Sequence, residues 1–142
     1  MLNDSIKVKG ALSIVKNGVE VQKINNLVVD AGKALIAQRL KGAGSAISHM
    51  AVGSGSAAAA AGNTALGAQI DRNALSTSGG SVTGATVTFE CTWSAGDGTG
   101  AITEAGLFTA SSGGTMLART VFPVVNKGAD DVVTITWDVT IL

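Results

Sequence analysis

Cysteine and histidine each occur once, as Cys91 and His49, so one chain can form neither an internal disulfide nor a cluster of imidazoles around a metal. A lone thiol fits synthesis in a reducing cytoplasm. Tyrosine is absent; the aromatic residues are two Trp and three Phe, and none precedes Phe89. Lys7, Lys9, Lys16 and Lys23 therefore have no stacking residues near them in sequence, and a single-stranded nucleic-acid platform is not expected. Charge is sparse, 14% with a net of zero, which argues against nucleic acid as the main partner. No apolar run approaches the ~20 residues that cross a bilayer as a helix, and no membrane partner is expected. Met1-Leu2-Asn3-Asp4-Ser5 lacks the basic stretch and apolar run of a signal peptide, which makes the glycosylation-like triplet Asn3-Asp4-Ser5 a chance match.

What is present is apolar and glycine-rich. With 142 residues, 46% of them hydrophobic, the chain suffices for one domain over 1–142 whose core needs no metal or disulfide. Strict alternation marks strands. In 132–141, Val133, Ile135, Trp137, Val139 and Ile141 point one way, while Thr134, Thr136, Asp138 and Thr140 point the other. In 86–93, Val87, Phe89, Cys91 and Trp93 oppose Thr86, Thr88, Glu90 and Thr92. Further strands are predicted over 101–109 and 116–125, the latter at an edge or bulged because it contains Pro123, the only proline. Asn17-Gly18 predicts a tight hairpin near the N-terminus. Short strands are expected over 47–52 and 73–77, with a helical turn over 64–71. One helix is predicted over 31–41, capped by Asp30, with Leu35, Ile36 and Leu40 on its apolar face and Gly42 at its end. The segment 53–63 reads as a flexible small-residue loop, and deleting its run Ala57–Ala61 should leave the domain folded. The expected fold is all-β, a jelly-roll-like two-sheet antiparallel sandwich with that one short helix.

A search for chemistry returns structural explanations. A Cys91–His49 nucleophilic pair is arithmetically possible, but Cys91 falls between Phe89 and Trp93 on an inward face. Gly96-Asp97-Gly98-Thr99-Gly100 lacks the lysine and following helix of a phosphate loop, and Asp97 stands alone for calcium. Asp130 and Asp131 sit in a turn; Glu90 and Asp138 face outward. Glu104 is the most suggestive carboxylate, with Ile102 and Gly106 on one face, and a buried structural pair with Arg119 is expected. No catalytic, cofactor-binding or metal-binding residue is predicted. Residues 1–50 carry seven Lys/Arg against three Asp/Glu and residues 51–142 three against seven, which suits a surface meeting ordered neighbours.

Three stretches carry a resemblance. They are Asn26-Leu27-Val28-Val29-Asp30-Ala31-Gly32-Lys33-Ala34-Leu35-Ile36-Ala37; Ser48-His49-Met50-Ala51-Val52-Gly53-Ser54-Gly55 with Thr64-Ala65-Leu66-Gly67; and Gly96-Asp97-Gly98-Thr99-Gly100 followed by Ile102-Thr103-Glu104-Ala105-Gly106-Leu107-Phe108 and Gly114-Thr115-Met116-Leu117-Ala118-Arg119. With the closing Thr134-Ile135-Thr136-Trp137 they resemble, in order, blocks of phage tail-fibre-type virion proteins. The opening Asn3-Asp4-Ser5-Ile6-Lys7-Val8-Lys9-Gly10 resembles the small capsid cement (decoration) proteins of short-tailed bacteriophages. The resemblance implies a virion structural protein on the outer capsid surface. It would be a homo-oligomer, dimer before trimer, bridging subunits of the major capsid protein against the pressure of packaged DNA. Candidate contacts are Lys7, Lys9, Gly53, Ser54, Gly55, Ala57, Ala58, Ala59, Ala60 and Ala61. The alternatives are a tail or collar appendage subunit and a carbohydrate-binding sandwich; the latter needs an aromatic platform, and both Trp are expected to face inward.

Overall fold

The computed structural model describes residues 5–142, so Asn3 and Asp4 lie outside it. In chain order the elements are β1 (Val8–Lys16), β2 (Val19–Asn25), β3 (Leu27–Val28), α1 (Asp30–Leu40), β4 (His49–Gly53), β5 (Gln69–Ala74), β6 (Ser81–Thr83), β7 (Thr86–Trp93), β8 (Gly100–Phe108), β9 (Met116–Lys127) and β10 (Val133–Ile141). They form two five-stranded antiparallel sheets, β2-β1-β10-β7-β6 and β3-β9-β8-β4-β5. This is the two-sheet all-β sandwich that the alternating segments predict.

The alternating patterns become the first sheet. Val133, Ile135, Trp137 and Val139 are buried, as are Phe89, Cys91 and Trp93 opposite them in register. Threonines on the other face pair with one another across the strands, Thr86 with Thr140 at 2.8 Å and Thr92 with Thr134 at 2.9 Å. The hairpin joining β1 and β2 turns at Asn17 and Gly18, with φ of 51° and 82°. Both values are positive, as a two-residue primed turn demands. Leu12 and Ile14 of β1 complete this wall of the core, against Met50, Val52, Ile102, Leu107 and Val125 of the second sheet. Each such side chain taken fully out of water contributes about 1.5–3 kcal/mol.

The second sheet is covered on both faces. Beyond the main core, a smaller cluster of Val29, Ala51, Phe108 and Met116, with Ala31 and Leu66 against it, lies on the face away from the first sheet. Hence β4 from Met50 and β8 from Glu104 are buried residue after residue, where β7 and β10 alternate. Pro123 sits where Ile102 pairs with Val125 and Glu104 with Val121, so three residues of β9 face one of β8. The bulge removes the demand for a ladder hydrogen bond from proline.

The helix departs from expectation in detail. Its cap position is Val29, no side chain caps it, and Asp30 instead lies in the first turn, where its charge favours the positive end. Leu35 is buried, but Leu40 is 86% exposed and does not join the core. Gly32 is required where propensity disfavours it, because a Cβ there would stand 2.1 Å from the Leu117 carbonyl oxygen. Gly42, at φ 82°, follows the helix as the expected stop. Residues 64–71 form no helical turn; the chain runs extended into β5, whose backbone is consumed by pairing with β4. The short strands β3 and β6 and the early start of β5 carry no sequence signature, since none of these segments alternates over more than a few residues.

Candidate interaction surface

A buried ion pair organises one face of the sandwich. Glu104 on β8 and Arg119 on β9 sit on the outer face of the second sheet, 0% and 2% exposed, joined by a salt bridge of 3.0 Å. The carboxylate accepts Nε and Nη2 of Arg119 at 3.1 and 3.0 Å. It also accepts three backbone N–H groups, from Gly55 at 2.6 Å, Gly67 at 2.8 Å and Ala68 at 2.8 Å. Burial pushes the Glu104 carboxyl up, but the donations from Ala68, Gly67, Gly55 and Arg119 outweigh it and hold the group below its ordinary range. A negative charge enclosed by five donors is satisfied in place and is not poised to take a proton.

The glycines around it follow from this geometry. A Cβ on Gly53 or Gly55 would stand 2.6 or 2.3 Å from Glu104 Oε2, and one on Gly106 would stand 3.0 Å from Leu66. Only bare backbone approaches a carboxylate so closely. Arg119 reaches the other way, donating Nη2 to the Ala57 carbonyl and Nη1 to Asn63 Oδ1, both at 3.0 Å. Asn63 Oδ1 also accepts the Ala60 N–H, and the Ala61 carbonyl accepts the Asp30 N–H at the start of α1. The segment 53–63, expected as a flexible loop, has no regular structure after Gly53, yet its backbone is tied at Gly55, Ala57, Ala60 and Ala61.

The candidate contact residues divide between two sides. Gly53 is buried at the end of β4 and Gly55 half-buried, while Ser54, Ala57, Ala58, Ala60 and Ala61 are exposed and Ala59 half-buried. They form a plate of small side chains over the buried pair, beside a polar cleft of about 400 Å³ lined by Asn25, Asn26, Ser56, Ala58, Arg119 and Thr120. Lys9 is exposed on the outer face of the opposite sheet, in register with Thr140, and Lys7 lies at the sandwich end, exchanging backbone hydrogen bonds with Leu142. The structure does not bring the lysines and the plate together.

Other reactive groups are absorbed. Cys91 is fully buried beneath the carbonyls of Asn73 and Ala74, and burial first, then the nearby Asp71 and Glu90 charges, push its thiol up to about 12. His49 Nδ1 and Ser48 Oγ share a hydrogen bond of 2.7 Å. Phe89, Trp93, Phe108, Phe122 and Trp137 are all buried, so the two Trp face inward as expected, and Trp137 donates its indole N–H to Asn26. No group of three His, Cys, Asp or Glu residues placed to hold a metal occurs among the described residues, and none of their helices is long and apolar enough to cross a membrane.

Sequence reasoning missed an apolar groove of about 360 Å³ at one end of the sandwich, between α1 and the ends of β10, β7 and β6. Its walls include Leu35, Ile36, Ile47, Phe89, Val139 and Ile141. Nothing in a strand or helix pattern distinguishes an apolar residue that closes a core from one that lines an open end. Comparison with protein-family models, curated proteins and solved structures finds no match.

Proposed function

We propose that this protein is a virion structural protein, a capsid cement protein that attaches to the outer shell of a tailed bacteriophage and ties neighbouring major capsid subunits together. One observation carries the reading. Three of the stretches that carry the resemblance meet around Glu104 and Arg119, while the closing stretch and the described part of the opening one belong to the other sheet. Gly53, Gly55 and Gly67 come from one stretch, Glu104 and Arg119 from another, and β3 with the start of α1 from the first. Their shared residues thus encode a braced surface. A stiff slab with a Ser/Thr sheet on one side and a small-residue plate on the other suits repeated attachment, where many modest contacts add up. Self-association, a dimer first, belongs to the same proposal.

The test is to mix purified protein with undecorated capsids and record single-particle images. Ordered extra density on the shell, together with capsids that rupture at a higher temperature, is the expected outcome. Density confined to tails or collars would replace this reading with the appendage one.

A further inference from the structure

The groove at the end of the sandwich is open, apolar and rimmed by cations. Leu40, Val82 and Ile141 line it and are 86%, 69% and 40% exposed, unusual values for large aliphatic side chains. Its floor reaches Phe89 and Leu117 of the main core, so it is continuous with the hydrophobic interior. Exposed aliphatic side chains grouped at one groove mark an interaction surface.

The one charged side chain in the groove wall is a cation, Arg39; the carboxylate on the neighbouring stretch of β10, Asp138, lies on the outer face of its sheet and accepts from Thr88. Arg39 lines the groove, Lys41 follows Leu40, and Lys7 is bonded through its backbone to Leu142 beside Ile141. None of the three makes an ion pair with another described residue. Acidic residues gather at the far end of the molecule. Asp130 and Asp131 precede β10, and Asp97 lies in a turn whose Gly96 N–H donates to the Ala129 carbonyl. β10 runs from that end to the groove, and its nine residues span ~30 Å. Lys16 pairs with Asp131 at the far end, and the buried Lys127 donates to the Ser94 carbonyl there.

Resting on the cement reading, we propose that this groove docks a segment of the shell protein that presents two or three aliphatic side chains flanked by carboxylates. The aliphatic side chains fill the space between α1 and β6, and the carboxylates meet Arg39, Lys41 and Lys7. The small-residue plate is then a secondary contact.

The test uses the full chain and purified undecorated capsids, comparing wild type with Val82→Asp, Leu40→Asp, the charge reversal Arg39→Glu/Lys41→Glu, and Ala58→Glu/Ala60→Glu on the plate. All six positions are exposed, and circular dichroism with urea midpoints checks that each variant folds. Expected are a loss of capsid binding of at least roughly tenfold for either groove aspartate, which corresponds to burying about one aliphatic side chain, and a weaker loss for the charge reversal that vanishes at high salt. The plate variant should lose less binding than either groove aspartate, and a plate loss that exceeds the groove losses overturns the groove proposal. If wild type decorates capsids and the groove variants do so equally, the groove proposal is overturned while the cement reading stands. If wild type does not bind capsids at all, both fall. Two further results overturn the groove proposal: groove variants that turn a dimer into a monomer in light scattering yet still decorate capsids, and wild type that binds phosphatidylserine vesicles through the groove but leaves capsids bare.

Discussion

At the scale of single residues, the strongest constraints concern Glu104 and the glycines that let backbone approach it. Replacing Glu104 by Gln leaves the Arg119 charge buried beside a neutral amide, and breaking a buried pair in this way costs about 3–5 kcal/mol. The double change Glu104→Met/Arg119→Met removes both charges and should cost less than the single one in urea titrations, because no unpaired ion remains. Gly32→Ala reverses the usual sign. In an exposed helix interior that change gains about 1 kcal/mol. Here the added Cβ meets the Leu117 carbonyl at 2.1 Å, and backbone that cannot move aside makes it a loss of about 1–3 kcal/mol, read from the denaturation midpoint. The depressed carboxyls of Glu104 and Asp131 give the pH dependence. For Asp131 the donations from Asn17 and Gly128 lead, with Lys16 assisting. A carboxyl held lower in the folded than in the unfolded state stabilises in full above the ordinary carboxylate range of about 4. That stabilisation is lost as pH falls through the depressed values. The midpoint should therefore be flat above pH ~5 and fall below ~4, and Glu104→Gln should show a shallower fall.

At the scale of elements, the segment 53–63 changes meaning. Its run of alanines has nothing to place in a core, and sequence alone treats it as dispensable. Its carbonyls are not: Ala57 accepts from Arg119 and Ala61 from Asp30. Deleting Ala57, Ala58, Ala59, Ala60 and Ala61 is expected to lower the unfolding midpoint, since each buried donor left unpaired costs about 1–3 kcal/mol. Side-chain changes such as Ala58→Glu and Ala60→Glu should shift stability by less than about 0.5 kcal/mol, because only the backbone at these positions is used. A deletion variant as stable as wild type would show that the loop braces nothing. The helix teaches a related lesson. The spacing of Leu35, Ile36 and Leu40 is that of a core-facing stripe, yet only Leu35 is enclosed, because α1 lies over the end of the sandwich and its last turn overhangs the groove.

At the scale of the whole molecule, the first strand closes against the last. Val8 pairs with Ile141 and Lys16 with Val133, and the second sheet interleaves β3, β4, β5, β8 and β9. Long-range pairing of this kind must bear loop-closure entropy before its contacts form, so refolding is expected in milliseconds to seconds and not in microseconds. Stopped-flow fluorescence of Trp93 and Trp137, both fully buried, reports it. Cys91 offers a second global probe. Its thiol stays protonated and covered, so iodoacetamide at pH 8 should label it only when the sandwich opens, at a rate that follows stability across the variants. Fast labelling under native conditions would place the thiol outside the core.

Local pattern determined the longer alternating strands. Period-two alternation wrote β7 and β10 into the chain, Asn17-Gly18 set the first hairpin, Pro123 announced a bulge, and the isolated Glu104 among apolar neighbours pointed to Arg119. In each case the cause lies within a few residues, or in the cost of burying one charge without its opposite. The tertiary structure alone decided which strands became neighbours, that the alanine segment folds back to cradle a carboxylate, and that aliphatic side chains stay uncovered at one end beneath a rim of cations. Those outcomes depend on residues far apart in sequence meeting in space, and one chain's local preferences carry no record of such meetings.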